Sequence, residues 1–295
     1  MTASSSKRLF TLLGLFLVLS LPACALDLGP AATPTPSPSP TQTPVPLALS
    51  VNGEGITLEE FDAEMVRYQQ AQAALGTSED IDTATQTVAN DFINTLLLAQ
   101  GAAAQGHNVD DATLQANLDA LAMQIGGSEA LTAWETANGY TDAGFRSALR
   151  RQIAAAWMRD QLVNAVPVNA EQVHVKQILL YNATDAQQAL AYLDAGWDFT
   201  DLAAQYDPAT QGELGWFPRG YLTETAIEDA AFALQPGQYS GIIETQAGFH
   251  ILYLVESDPA RQLSPDALLT LQEKAVTNWL GLRRAESTIL FAPAQ

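Results

Sequence analysis

From Pro30 to Pro46 the chain is made almost entirely of proline, threonine, serine, glutamine and alanine, and prolines at 34, 36, 38 and 40 alternate with hydroxyl residues. Each proline fixes φ and removes a backbone donor, so neither helix nor sheet propagates through such a tract. Extended polyproline II is what remains, and there is too little apolar surface for a core. A packed fold can therefore begin only near residue 47. From Cys24 to Leu47 the spacer could reach ~70 Å at about 3.1 Å per residue.

What precedes the tract reads as an export signal. Lys7 and Arg8 form its positive start, and Leu9 to Leu21 an apolar run. That run is shorter than the roughly 20 residues a membrane-spanning helix needs. It ends in Leu21-Pro22-Ala23-Cys24, which resembles a lipobox, where small residues precede a cysteine that takes a diacylglyceryl group. The expectation is a signal peptide at 1–23, a proline-rich linker at 24–46, and Cys24 as lipidation site and mature N-terminus. An ordinary secretory signal with an incidental cysteine is the alternative. Cys24 is the only cysteine, so the monomer holds no disulfide even where export would permit one. The expected setting is extracytoplasmic, with the protein tethered to a lipid bilayer through its acylated N-terminus.

Losing Lys7 and Arg8 takes the formal charge from −20 to −22. So acidic a surface argues against nucleic acid as a partner and against adhesion to anionic lipid. About 250 residues remain after the signal and linker, enough for two modest domains.

Leu49 to Ile56 reads as a short strand and turn that leads into a helix. Thr57-Leu-Glu-Glu60 is a capping box, with Ile56 and Phe61 at the positions of a hydrophobic staple. Phe61, Met65 and Tyr68 follow helical spacing. A second helix is expected from about Thr87 to Ala104, with Val88, Phe92, Leu96 and Ala99 on one face. Shorter helices are expected near Asp111–Ile125 and Ser128–Asn138. Another begins at Thr141-Asp142 and carries Phe145, Leu149, Ile153 and Trp157. Near the end, Ser264-Pro265 is an N-cap followed by proline at the first helical position. Leu268, Leu271, Ala275, Trp279 and Leu282 then form an apolar stripe that needs a surface to bury itself against.

The Val51-Asn52-Gly53-x-x-Ile56-Thr57 opening and the helices after it resemble the N-terminal chaperone region of SurA-type and PrsA-type foldases. The resemblance implies that the last helix returns to pack on the first ones. Between them lies a second resemblance. Gly212-Glu-Leu-Gly-Trp-Phe217, Gln235-Pro-Gly-Gln-Tyr-Ser240 and Thr245-Gln-Ala-Gly-Phe-His250-Ile251 stand in the order and spacing of a parvulin, a small class of peptidyl-prolyl isomerase. Val173–Leu180 is a plausible strand, with Val173, Val175, Gln177 and Leu179 on one face. Thr184-Asp-Ala-Gln187 is read as a capping box for a helix that stops at Gly196. Further helices are expected at Phe199–Gln205 and Ile227–Leu234, and strands at Tyr239–Ile243 and Phe249–Val255.

The fold class expected is α+β: an all-helical SurA-N-like chaperone domain (47–170) with an inserted parvulin domain (171–258). That domain is an FKBP-like antiparallel sheet in the order βαααββ, and a C-terminal helix (259–295) follows it. The resemblance implies a proline slot made by Leu214, Phe217, Leu222 and Ile227. The family often has Met and Phe where Leu222 and Ile227 stand; the alternative is that Leu214, Leu222 and Ile227 are ordinary core residues of a small domain. It also implies a polar centre, in which His250 matches the second histidine of the family's pair and Thr245 its hydroxyl.

Two departures stand out. The first histidine is replaced by Gln177, because His174 lies on the other face of the strand. The loop Asp207-Pro-Ala-Thr-Gln211 is shorter than in active parvulins. Asp207 either supplies the carboxylate of the centre or simply forms an Asp-Pro turn.

Such a site needs no cofactor. No metal is expected either, because His107, His174 and His250 fall in unrelated elements. There is no phosphate loop, dinucleotide fingerprint or Gly-x-Ser-x-Gly elbow. The function implied is that of an extracytoplasmic foldase acting on X-Pro bonds of unfolded exported proteins. The alternative is a degenerate parvulin fold that only binds peptide segments.

Overall fold

The computed structural model describes residues 45–292, so the export signal, Cys24 and almost all of the proline-rich linker lie outside the described residues. The described chain opens with a hairpin, β1 (Leu47–Val51) and β2 (Glu54–Thr57), closed at Asn52 and Gly53. Both turn residues have positive φ, 54° and 87°. Their backbone twist matches that of the flanking strands, which is why Asn-Gly is favoured here. Helix α1 (Leu58–Ala74) starts where Thr57 accepts a hydrogen bond from Glu60 N–H at 3.1 Å, and Ile56 and Phe61 share one apolar cluster. Only half of the capping box forms. The Glu60 carboxylate turns away to pair with Arg151.

Helix α2 (Ile81–Ala104) begins earlier than Thr87, because Asp80 caps it by accepting from the amides of Asp82 and Thr83. Its first turn offers only the small Ala84 to the core while Ile81 is exposed, so no large apolar residue extends the period ahead of Val88. Helices α3 (Asp111–Ile125), α4 (Ser128–Ala137) and α5 (Asp142–Asn164) follow as expected, α3 capped by Asp110 and α5 by Thr141.

The chain then leaves the helices along β3 (Asn169–Leu180). It continues through α6 (Ala183–Asp194), α7 (Phe199–Tyr206), β4 (Glu213–Pro218), α8 (Thr225–Ala233), β5 (Ile243–Thr245) and β6 (Gly248–Gln262). The strands form an antiparallel four-stranded sheet in the order β4-β3-β6-β5. One face packs Ile178, Leu180 and Ile251 against α6 and α7. The other packs Val173, Val175, Leu252 and Leu254 against α8.

Three expectations are corrected here. The cap of α6 is Asn182, which accepts from Asp185 N–H at 2.8 Å, rather than Thr184. Tyr239–Ile243 is not a continuous strand. It makes a single bridge, Tyr239 to Tyr253, and ladder pairing starts only at Ile243. Glu213–Pro218 adds a strand between the second and third helices of this region, where Gly215 and the closing Pro218 obscure any alternation.

Past the end of β4, β3 and β6 continue as a two-stranded ribbon, Asn169 opposite Gln262 and Ala170 opposite Arg261, with Gln172 at its base. The Gln172 side chain, buried in that ribbon, donates to the carbonyls of Arg261 and Gln262 at 2.8 and 3.1 Å. Chain entry and exit are thus side by side, and Leu263 N–H bonds to Val168 C=O at 2.9 Å.

Helix α9 (Pro265–Glu286) then returns to the helical lobe. Its Trp279 packs on the cluster of Leu49, Ile56, Ile93 and Leu96 and on that of Leu98, Ala102 and Met158. The final strand β7 (Ile289–Phe291) pairs with β1, so the first and last elements share a three-stranded sheet. None of the described helices is long and apolar enough to cross a membrane.

Because Val168 and Leu263 are already bonded, replacing 171–258 by a two- or three-residue glycine linker should leave the helical lobe folded. Circular dichroism should show one cooperative helical transition. A deletion variant without cooperative unfolding would mean the sheet lobe holds the helices in place.

Candidate functional site

The sheet face toward α8 carries a line of polar groups at its open end. In the β3–β6 register Gln177 lies opposite Leu252 and Leu179 opposite His250, which puts Gln177 and His250 on one face. Gln177 Oε1 is 3.1 Å from His250 Nδ1, and Thr245 Oγ1 is 2.9 Å from His250 Nε2. Ala247 N–H donates to Thr245 Oγ1 at 3.1 Å.

An amide oxygen only accepts, so His250 carries its proton on Nδ1 and donates it to Gln177. Nε2 then presents a lone pair, and the Thr245 hydroxyl donates to it. The result is a chain of donors that all point one way, from Ala247 through Thr245 and His250 to Gln177.

His250 is 6% exposed. Burial pushes its pKa below the ordinary 6.5, while the nearby Glu224 pulls in the opposite direction. Glu224 stands at the N-cap position of α8. It is the carboxylate whose field His250 feels, and sequence reading missed it because nothing in its spacing links it to the strands.

Asp207 is not in that role. Its carboxylate accepts from the amides of Ala209 and Thr210, each at 3.1 Å, and from the Thr210 hydroxyl. The Thr210 hydroxyl and amide hold its pKa below the usual carboxylate range. It closes its own turn, as an Asp-Pro turn would.

The loop that follows Asp207 reaches the site through backbone. Gly212 C=O accepts from Gln177 N–H at 2.7 Å, and Gly212 has φ 74°. A Cβ there would strike the Gln177 carbonyl, so only glycine lets the loop lie this close to the strand.

The four apolar residues gather in one cluster with Val175, Leu252 and Ile243. Phe217 and Ile227 are buried in it, whereas Leu214 and Leu222 are partly exposed. Phe217 and Ile227 are thus the floor of any slot on this face, and Leu214 and Leu222 its accessible walls.

Two supporting residues were not singled out from the sequence. Glu228, buried on α8, accepts from Gly220 N–H at 2.6 Å and Leu222 N–H at 3.1 Å, fixing the segment that carries Leu222. An acidic residue beside Ile227 on a buried helix face was the available signal. Ser240 Oγ accepts from Leu252 N–H at 2.9 Å and ties the Gln235–Ser240 segment to β6.

His174 lies on the other face, 2.5 Å from Glu213 and stacked on Trp216. His107 stacks on Trp157 in the helical lobe. The three histidines share no site, and among the described residues no group of His, Cys, Asp and Glu is placed to hold a metal ion.

Two family models match this chain. Residues 5–159 match the family model of the SurA-like N-terminal domain, and residues 181–256 that of the PPIC-type PPIase domain. The foldase protein PrsA of Geobacillus sp. (strain WCH70) is 35% identical over 92 residues, 30% of this chain and 33% of that protein. The chaperone SurA of Methylobacillus flagellatus is 30% identical over 210 residues, 59% of this chain and 48% of that protein. The chain thus spans between 33% and 48% of the length of these two relatives. A crystal structure of the peptidylprolyl isomerase PrsA from Bacillus cereus is 18% identical over 82% of this chain and 89% of that one, with a TM-score of 0.45.

The lowered His250 pKa gives a signed pH dependence. Below about 6.5 the unfolded chain takes up the proton more readily than the folded one, so stability falls with pH until the folded value is passed. Above that range the contribution is fully present. Thr245→Val removes the donor that favours the neutral ring, and should raise the His250 pKa in an NMR titration. A titration midpoint left in place would mean that Thr245 does not donate to Nε2.

Proposed function

The chain belongs to the family defined by the SurA-like N-terminal domain, and on that premise we propose that it is an extracytoplasmic foldase with peptidyl-prolyl cis-trans isomerase activity. One observation carries the enzymatic part. The Gln177–His250–Thr245 line and the apolar walls Leu214 and Leu222 occupy one face of a domain that matches the PPIC-type model.

Rotation about an X-Pro amide crosses a barrier of about 18–20 kcal/mol, because resonance is lost in the twisted state. The slot would take the proline ring against Leu214, Leu222 and the floor of Phe217 and Ile227. The polar line would then face the twisting amide and favour it over either planar form. No nucleophile or cofactor is required.

Binding without much catalysis is a second reading, favoured by a specific observation. Asp207 is spent on its own turn, and Gln177 replaces a ring that could relay through both nitrogens. The two readings separate in a protease-coupled isomerisation assay. We expect weak wild-type activity, a further loss in His250→Ala, and a gain in kcat for Gln177→His, about tenfold for each 1.4 kcal/mol added in the transition state. Unchanged activity in a folded Gln177→His variant would move the defect to the Asp207–Gln211 loop. Wild-type activity equal to that of a fully active parvulin would remove the binding-only reading.

Client holding is assigned to the helical lobe. Leu58, Val66, Met123, Trp134, Leu290 and Phe291 are exposed there, and Leu47, Leu49, Phe61, Ala89 and Phe291 line a cleft of 910 Å³. These surfaces give an unfolded exported chain apolar ground outside the proline slot. The variant lacking 171–258 should therefore still slow aggregation of an unfolded test protein.

Lipidation at Cys24 is part of the same reading, since it would hold the foldase at the membrane where clients emerge. Cys24→Ser should shift the protein from the membrane to the soluble fraction. Retention in the membrane would place the anchor elsewhere.

A further inference from the structure

The segment Gly220–Leu222, between β4 and α8, is gripped by two charged side chains. Glu228 takes its N–H groups, as described above. Its C=O groups face Lys274 of α9, whose Nζ lies 2.5 Å from Gly220 O, 3.4 Å from Tyr221 O and 3.2 Å from Leu222 O. An ammonium has three donors, and here three successive carbonyls meet them.

The contact continues along α9. One turn earlier, Leu271 lies so close to Gly220 that a Cβ there would be 3.3 Å from its Cδ2, and Gly220 has φ 81°. Lys274 is half-buried, so its bonds compete less with water than those of a surface lysine would.

The two charges belong to different parts of the molecule. Glu228 comes from the same lobe as the segment it holds. Lys274 sits on the helix whose Trp279 is packed into the helical core, and whose Gln272 reaches Val163 C=O at 3.5 Å. The helical lobe therefore supplies half of the grip on the segment that carries Leu222, an accessible wall of the slot.

We propose that Lys274 is a positioning residue of the proline slot, through which the helical lobe sets the placement of Leu222 and hence the affinity for an X-Pro segment. This rests on the isomerase reading above. Lys274 touches neither the peptide nor the Gln177–His250–Thr245 line. Its removal loosens a wall and leaves the polar groups in place.

The test uses the full chain with Lys274→Met, which keeps the stem and deletes the donors, and Lys274→Arg, which keeps a cation. KM and kcat for a proline tetrapeptide, amide exchange at Gly220 and Leu222, and the thermal midpoint are measured together. Lys274→Met should raise KM about fivefold, on the order of 1 kcal/mol of binding, with kcat within about twofold of wild type. Exchange at the Gly220 and Leu222 amides should quicken, and Lys274→Arg should recover most of both effects.

A lower thermal midpoint with unchanged KM and unchanged exchange would mean that Lys274 only adds stability, and would overturn the proposal. If Lys274→Met does not fold, Lys274→Gln, which retains one donor group, is read in the same way. A wild-type chain that neither isomerises nor binds the peptide sinks the isomerase reading. The exchange rates alone then decide whether Lys274 holds the segment.

Discussion

The insertion of Trp279 between two parts of the helical core is the contact on which the rest of the architecture depends. The indole packs against the cluster built on β1, β2 and α2, and also against the one shared by α2 and α5. It comes so close to α2 that a side chain at Gly101 would collide with the ring. This fixes α9, and α9 in turn brings β7 to pair with β1 and Lys274 to face the Gly220–Leu222 segment. Closing so long an excursion would be costly if the chain between were disordered, although the cost grows only with the logarithm of its length. Here the ribbon of β3 and β6 removes most of that cost. Once the sheet lobe has folded, Val168 and Leu263 are already hydrogen-bonded, and the insertion behaves as a tight connection.

Much of this was legible in the sequence. Amphipathic spacing and caps located α1 and α3–α5, and the unpaired stripe on α9 predicted that it must return to a surface. What was missed has a common cause. The first turn of α2 buries only Ala84, the extension of β6 to Gln262 is polar and mostly exposed, and the strand Glu213–Pro218 is short and broken by Gly215, so none of them shows a clear apolar period. Their backbone is fixed instead by caps and by partners distant in sequence. Gln172 knitting the ribbon to Arg261 and Gln262 is an example that no local pattern announces.

The candidate site was legible to a similar depth. Alternation along β3 placed Gln177 and His174 on opposite faces, and the register with β6 agrees. The residues that hold the Gly220–Leu222 segment were not legible. Glu228 and Lys274 act on backbone groups of one short segment from two helices, and Glu224 acts on His250 through its field alone. Such roles depend on where a side chain ends in space, which residue type and spacing do not encode. Asp207 shows the converse: a residue type suited to the centre is consumed by the turn that its own sequence prescribes.

The polar line also constrains what chemistry this face can favour. Every bond in it joins neutral groups, and each donor points the same way, from the Ala247 amide to the Gln177 oxygen. A charged imidazole would have to donate at Nε2, where the Thr245 hydroxyl now does so, and the direction of the chain would break. Burial opposes that charge as well. Rotation about an amide needs no group on this face to change its charge, because it transfers no proton. It separates no full charges, and it benefits from an apolar wall on one side of the bond and fixed dipoles on the other. Gln177 ends the line on a neutral acceptor and so keeps it polarised in one direction.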